Sequence, residues 1–174
     1  MKPFKMIATY RAILLLGVSL LLLSSCKTYS LKTGRIPDEI QSISIQYFQN
    51  RAAVINPLLS QFFTNQLQEK FVRESNLTAI KSNGDFSFEG YISEYRNMPN
   101  AIQGNETAAN NRLTIVINVK FTNNKDTKQS FESAFTRFAD YPSTKNFSEV
   151  ENQLVQEIVS QLVDDIYNKS VSNW

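Results

Sequence analysis

Residues 111–123, NRLTIVINVKFTN, alternate almost without a break. Leu113, Ile115, Ile117, Val119 and Phe121 fall on one side of an extended chain. Thr114, Asn118, Lys120 and Thr122 fall on the other, with Val116 the exception. A period of two marks a half-buried strand, so this segment demands a sheet with one apolar face and something apolar to cover it. Two segments supply the cover. In INPLLSQFFTNQLQEKF (55–71), Leu59, Phe62, Phe63, Leu67 and Phe71 recur at helical spacing, behind Asn56 as N-cap and Pro57 at the first helical position. In FSEVENQLVQEIVSQLVDDIYNKS (147–170), Val150, Leu154, Ile158, Leu162 and Ile166 form a stripe, with Ser148 and Glu151 as a capping box.

Three further segments read as strands. SISIQYF (42–48) places Ile43, Ile45 and Tyr47 on one face, and NGDFSFEGYISEY (83–95) opens on a turn and alternates through Phe86, Phe88 and Ile92. NNKD (123–126) turns the chain into QSFESAFTRFADY (129–141), where Phe131, Phe135 and Arg137 share a parity that Phe138 breaks. That break fits either a bulge or a two-sided strand. The order β-α-β-β-β-α gives an α+β two-layer sandwich, with two helices packed on one face of a mainly antiparallel four-stranded sheet. The other sheet face stays open. Residues 37–174 form one domain without repeats.

The N-terminus reads as an export signal. Lys2, Lys5 and Arg11 precede the apolar run Ala12–Leu23, then Ser24, Ser25 and Cys26. That run is shorter than the roughly 20 residues that span a bilayer, which makes a retained membrane anchor the weaker reading. Cys26 is the only cysteine. A lone cysteine can be a small buried hydrophobe, but its position directly behind Leu23-Ser24-Ser25 resembles the lipobox of bacterial lipoproteins. In such signals the thiol receives a diacylglyceryl group, the segment 1–25 is removed, and the new amine is acylated. Residues 27–36, KTYSLKTGRI, then serve as a tether spanning roughly 33–36 Å when fully extended.

Composition removes whole classes of function. The chain has no histidine, so a Ser-His-Asp triad is excluded, and with Cys26 acylated neither a disulfide nor a Cys/His metal site can form. No metal or other cofactor is expected, apart from the covalent lipid on Cys26. Asp164-Asp165 is the one carboxylate doublet that stands out. Neighbours on a helix point about 100° apart and do not converge on a substrate, so the doublet reads as a solvated face. Without residues 1–25, Lys plus Arg falls from 18 to 15 against 16 acids, and no nucleic-acid partner is implied. Residues 26–174 hold 17 Asn and 11 Gln, a supply of neutral donors and acceptors.

With these features assembled, the chain resembles the LptE family, lipoproteins that help assemble lipopolysaccharide in the outer membrane, in its Bacteroidetes form. The segments that carry the likeness are ISIQYFQNRAAVINPLLSQFFT, GDFSFEGYISEY, AANNRLTI, FTRFADY and VDDIYNKSVSNW. The resemblance implies a non-enzymatic protein on the periplasmic face of the outer membrane. There it would plug and help assemble an LptD-type β-barrel and contact lipopolysaccharide. Arg112, Lys120 and Arg137 are the candidate lipopolysaccharide contacts because they lie on or beside the two best strands; the alternative for each is an ordinary surface charge or local ion pair. The loop 100–111, with Gln103, Asn105, Asn110 and Asn111, is the candidate for insertion into the barrel, or else an ordinary solvated hairpin loop. A pilotin or assembly adaptor for another envelope complex is the competing function.

Overall fold

Strand 111–123 forms as its alternation requires, and its apolar side becomes the floor of the core. The computed structural model describes residues 36–100 and 110–172, all within the unit Thr33–Trp174. Cys26, Gln103 and Asn105 lie outside the described residues. In chain order the elements are β1 (Ser42–Ile45), β2 (Gln49–Asn50), α1 (Leu59–Ser75), β3 (Thr78–Ala79), β4 (Phe86–Asn100) and β5 (Asn110–Asn123). A 3-10 turn (Thr127–Gln129), β6 (Phe131–Pro142) and α2 (Phe147–Val171) complete them.

The α+β class and the two helices match expectation, but the four-stranded, mainly antiparallel sheet does not. Six strands form one mixed sheet in the order β3-β1-β4-β5-β6, with β2 also paired to β4. β1 runs parallel to β3 and β4, and β2 runs parallel to β4, whereas β4, β5 and β6 are antiparallel. The parallel half follows from α1. A connection that contains a helix returns the chain to the end it started from, so the strands it joins run the same way.

β1 and β2 are one strand interrupted along β4. Ile45 pairs with Phe88 and Gln49 with Tyr91, so three residues oppose two. The extra residue turns Phe48 into the core and leaves Tyr47 exposed, the reverse of simple alternation. The Phe48 ring fills the place above Gly90, where a β-carbon would lie 2.5 Å from its Cε1 atom and 2.1 Å from the Asn118 carbonyl oxygen. Only glycine fits there.

The N-cap of α1 is Leu58 rather than Asn56, and Pro57 precedes the helix instead of opening it, because the helix begins at Leu59; Asn56 Oδ1 accepts from the Leu58 and Leu59 amides in the turn before it, at 3.0 and 3.1 Å. The capping box at the second helix is not Ser148–Glu151. α2 starts two residues earlier, behind Asn146, whose Nδ2 donates to Glu149 Oε1 at 3.1 Å, and Glu151 is used elsewhere. Both helices cover the same sheet face. Phe71 of α1 stacks on Phe88 of β4 at 4.9 Å and on Tyr167 of α2 at 5.0 Å. Phe88 and Phe86 in turn meet Phe121 of β5, at 4.9 and 5.0 Å.

The molecule has two distinct ends. Ile36, the α1–β3 junction and the β5–β6 turn lie at one. The starts of both helices and the far ends of β4 and β5 lie at the other.

Candidate functional site

Among the described residues nothing covers the face of the sheet away from the helices. By cross-strand register it carries Arg112, Thr114, Val116, Asn118 and Lys120 from β5. Glu89, Glu94, Arg96 and Met98 come from β4, and Glu132, Thr136, Phe138 and Asp140 from β6. Two of the three candidate cations are therefore on this face. Arg137 is not: it lies opposite Ile115, on the helix-covered side of β6. The β5–β6 register runs unbroken from Asn110–Pro142 to Phe121–Phe131, so β6 is two-sided rather than bulged. The bulge falls instead in β4, between Ile92 and Glu94.

Most charges of the open face are paired. Arg112 holds Asp140 in a two-point bridge, Nε to Oδ1 at 2.7 Å and Nη2 to Oδ2 at 2.8 Å, while its guanidinium carbon stands 3.7 Å from the Phe138 ring centroid. The Arg112 hydrogen bond holds the Asp140 carboxyl below the usual carboxylate range, and the same contact raises the Arg112 guanidinium. Arg96 Nε donates to Glu94 Oε1 at 2.6 Å and its Nη1 reaches Met98 Sδ at 3.5 Å. Lys120 is the loosest, 3.7 Å from Glu89. Three cations thus stand among four carboxylates, and the face is not a basic patch.

The far end of this face has the richest chemistry. Arg96, Met98, Pro99, Asn100, Arg112 and Thr114 line a recess of about 230 Å³. Met98 lies opposite Arg112 and Arg96 opposite Thr114, which sets the two arginines on a diagonal roughly 7–8 Å long. Exposed Met98 and Phe138 flank them. Two forked cations beside apolar surface suit an amphiphile with an anionic head, since guanidinium binds phosphate or carboxylate with two parallel bonds. Asn110 and Asn111 open β5 at this same end, paired to Asn100 and Pro99. Among the described residues no group of three or more Asp, Glu, His or Cys converges as a metal site.

Arg137 has a structural assignment. Its Nε and Nη2 bridge Asp165 of α2 at 2.6 and 2.7 Å, fastening the edge strand to the helix. An inward-pointing charge on an edge strand also discourages pairing with other chains. Asp164 points elsewhere, to Lys70 of α1 at 2.8 Å. The doublet diverges as helix geometry requires, but each carboxylate is ion-paired rather than simply solvated.

Sequence reasoning missed Arg96 and Met98, although the every-second-residue pattern of Glu94, Arg96 and Met98 continues β4 past Tyr95. It also misassigned Glu151. That carboxylate accepts from the Tyr95 hydroxyl at 2.5 Å and from Asn56 Nδ2 at 2.9 Å, joining β4, α2 and the turn before α1. Burial, then the Glu151 hydrogen bond, pushes the Tyr95 hydroxyl well above its ordinary pKa.

A family model described as LptE, lipopolysaccharide-assembly, matches residues 40–170. The chain belongs to the LptE family. Solved structures with the same fold include the rare lipoprotein B from Shewanella oneidensis, at 13% identity and TM-score 0.54, covering 76% of this chain and 95% of that one. A minor lipoprotein from Acinetobacter baumannii is 14% identical with TM-score 0.52, covering 78% and 95%. A hypothetical protein from Chlamydia trachomatis is 10% identical with TM-score 0.54, covering 76% and 99%. No curated protein matches the chain. Among the described residues no helix is long and apolar enough to cross a membrane.

Proposed function

We propose that this LptE-family chain is a lipoprotein anchored through acylated Cys26 at the periplasmic face of the outer membrane. There it serves, without catalysis, as plug and assembly partner of an LptD-type β-barrel that inserts lipopolysaccharide. The family match over residues 40–170 carries the reading. The arrangement of the ends supports it. A tether of ten residues holds the Ile36 end within roughly 33–36 Å of the lipid. β4, 15 residues long, carries the Arg96–Arg112 recess roughly 40 Å toward the other end, where a barrel lumen can receive it.

Arg112 and, more weakly, Lys120 are the proposed contacts for lipopolysaccharide. The anionic groups of the lipid exchange with Asp140 at the Arg112 fork, while Phe138 and Met98 meet its apolar parts. The hairpin 100–111 enters the lumen, where neutral amides suit a polar wall. The test is extraction of the native protein in mild detergent, followed by identification of what copurifies. A lipopolysaccharide-exporting barrel is expected. A secretin ring in its place would mark the chain as a pilotin and refute the proposal.

A further inference from the structure

The recess between Arg96 and Arg112 has no acid in its lining. The carboxylates that hold its two arginines stand outside that lining, and each grips only part of a guanidinium. Arg112 directs Nε and Nη2 at Asp140 and keeps its Nη1 donors. Arg96 gives Nε to Glu94, its Nη1 meets the Met98 thioether at 3.5 Å, and its Nη2 has no partner among the described residues. A thioether is a weak acceptor, so of the N–H donors of Arg96 only the one on Nε reaches a charged group. Arg96 is the less satisfied of the two forks.

The register sets how the forks act together. Arg96 lies opposite Thr114 and Met98 opposite Arg112, so the arginines rise from neighbouring strands on one face, two positions apart. Arg112 leans toward Asp140 on β6, whereas Arg96 lies along β4 between Glu94 and Met98. Their remaining donors therefore serve two positions at the rim of the recess. Asn100 and Thr114 add neutral polar groups between them.

We infer that Arg96 is a second anion contact beside Arg112, and that the pair selects a ligand with two phosphoryl groups over one with a single group. One phosphoryl group occupies the Arg112 fork. The second takes the remaining donors of Arg96, where no carboxylate has to leave. The inference rests on the proposed function and deepens it: Arg112 and Lys120 hold lipopolysaccharide there, and Arg96 decides which phosphorylated forms are held.

Titration of the full-length lipoprotein in detergent with diphosphoryl and with monophosphoryl lipid A tests it. The wild type should bind the diphosphoryl probe about fivefold more tightly, the worth of one exposed charge-assisted contact. Arg96→Gln should abolish that preference and leave monophosphoryl binding and the melting temperature nearly unchanged. Arg73→Gln removes an exposed cation at the other end of the molecule, controls for net charge, and should keep the preference. Equal binding of the two probes by the wild type overturns the inference and leaves the proposed function standing. So does a preference that survives Arg96→Gln, one that Arg73→Gln removes equally, or an Arg96→Gln variant that loses it only together with its melting temperature. Binding of neither probe by the wild type overturns both the inference and the lipopolysaccharide contact on which it rests.

Discussion

Along β5, successive side chains enter two different environments. Leu113, Ile115, Ile117 and Val119 are fully buried under the helices, while Arg112, Thr114, Asn118 and Lys120 lie on a face that no element among the described residues covers. On the covered side, neighbours are aromatic rings about 5 Å apart and a change of shape is felt at once. On the open side, neighbours are paired ions in contact with water, whose net contribution to stability is small. A sheet whose stability comes from one face can commit the other to recognition.

The largest expected effect is on the covered face. Phe88 stacks between Phe71 and Phe121, so Phe88→Ala should lose about 3–5 kcal/mol of unfolding free energy, measured by urea titration. A loss below about 1 kcal/mol would mean that the helices do not depend on this face.

A smaller, pH-dependent effect sits where β1 begins. Asp85 accepts from the Gln41 amide at 3.0 Å and from the amide and hydroxyl of Ser42 at 3.0 and 2.8 Å. The Gln41 amide leads in lowering its pKa to about 2, with burial opposing and Ser42 and Lys125 assisting. Because the folded pKa lies below the unfolded one, the ionised carboxylate stabilises the fold above about pH 4, and that stabilisation fades as pH falls toward 2. Asp85→Asn should cost about 2 kcal/mol at pH 7 and almost nothing near pH 2. A loss that stayed constant across that range would assign the effect to shape instead of charge.

The two arginine bridges compare the faces most closely, since Arg112–Asp140 and Arg137–Asp165 share one two-point geometry. Arg137→Gln detaches the edge strand from α2 and should lower the melting temperature modestly. Arg112→Gln should leave melting nearly unchanged and weaken lipopolysaccharide binding in a solution assay, whereas Arg137→Gln should leave binding intact. The opposite pattern would reverse the roles given to the two faces.

Much of this was legible in the sequence because period and spacing are local. The stripe of α2 and the alternation of β5 each report one buried face, and both formed as read. β2 and β3 were not legible, since two residues carry no period. The parallel half of the sheet was missed because strand direction depends on how α1 returns the chain, not on the alternation within a strand. The open-face positions of Arg112 and Lys120 could be read from their strand, but Asp140 and Asp165 lie 28 residues from the arginines they hold, a pairing that only the register and the helix packing create. Arg137 was grouped with the open-face cations because the two-sidedness of β6 was undecided, and in an exposed edge strand one inward charge looks like any other.

Controlled depletion of the protein in its own bacterium, with lipopolysaccharide quantified at the cell surface, tests the central claim most directly. The account predicts that surface lipopolysaccharide falls and accumulates in the inner compartments as the protein is lost, and that the wild-type chain restores export while a chain carrying Arg112→Gln and Lys120→Gln does so poorly. Unchanged surface lipopolysaccharide after complete depletion would contradict it.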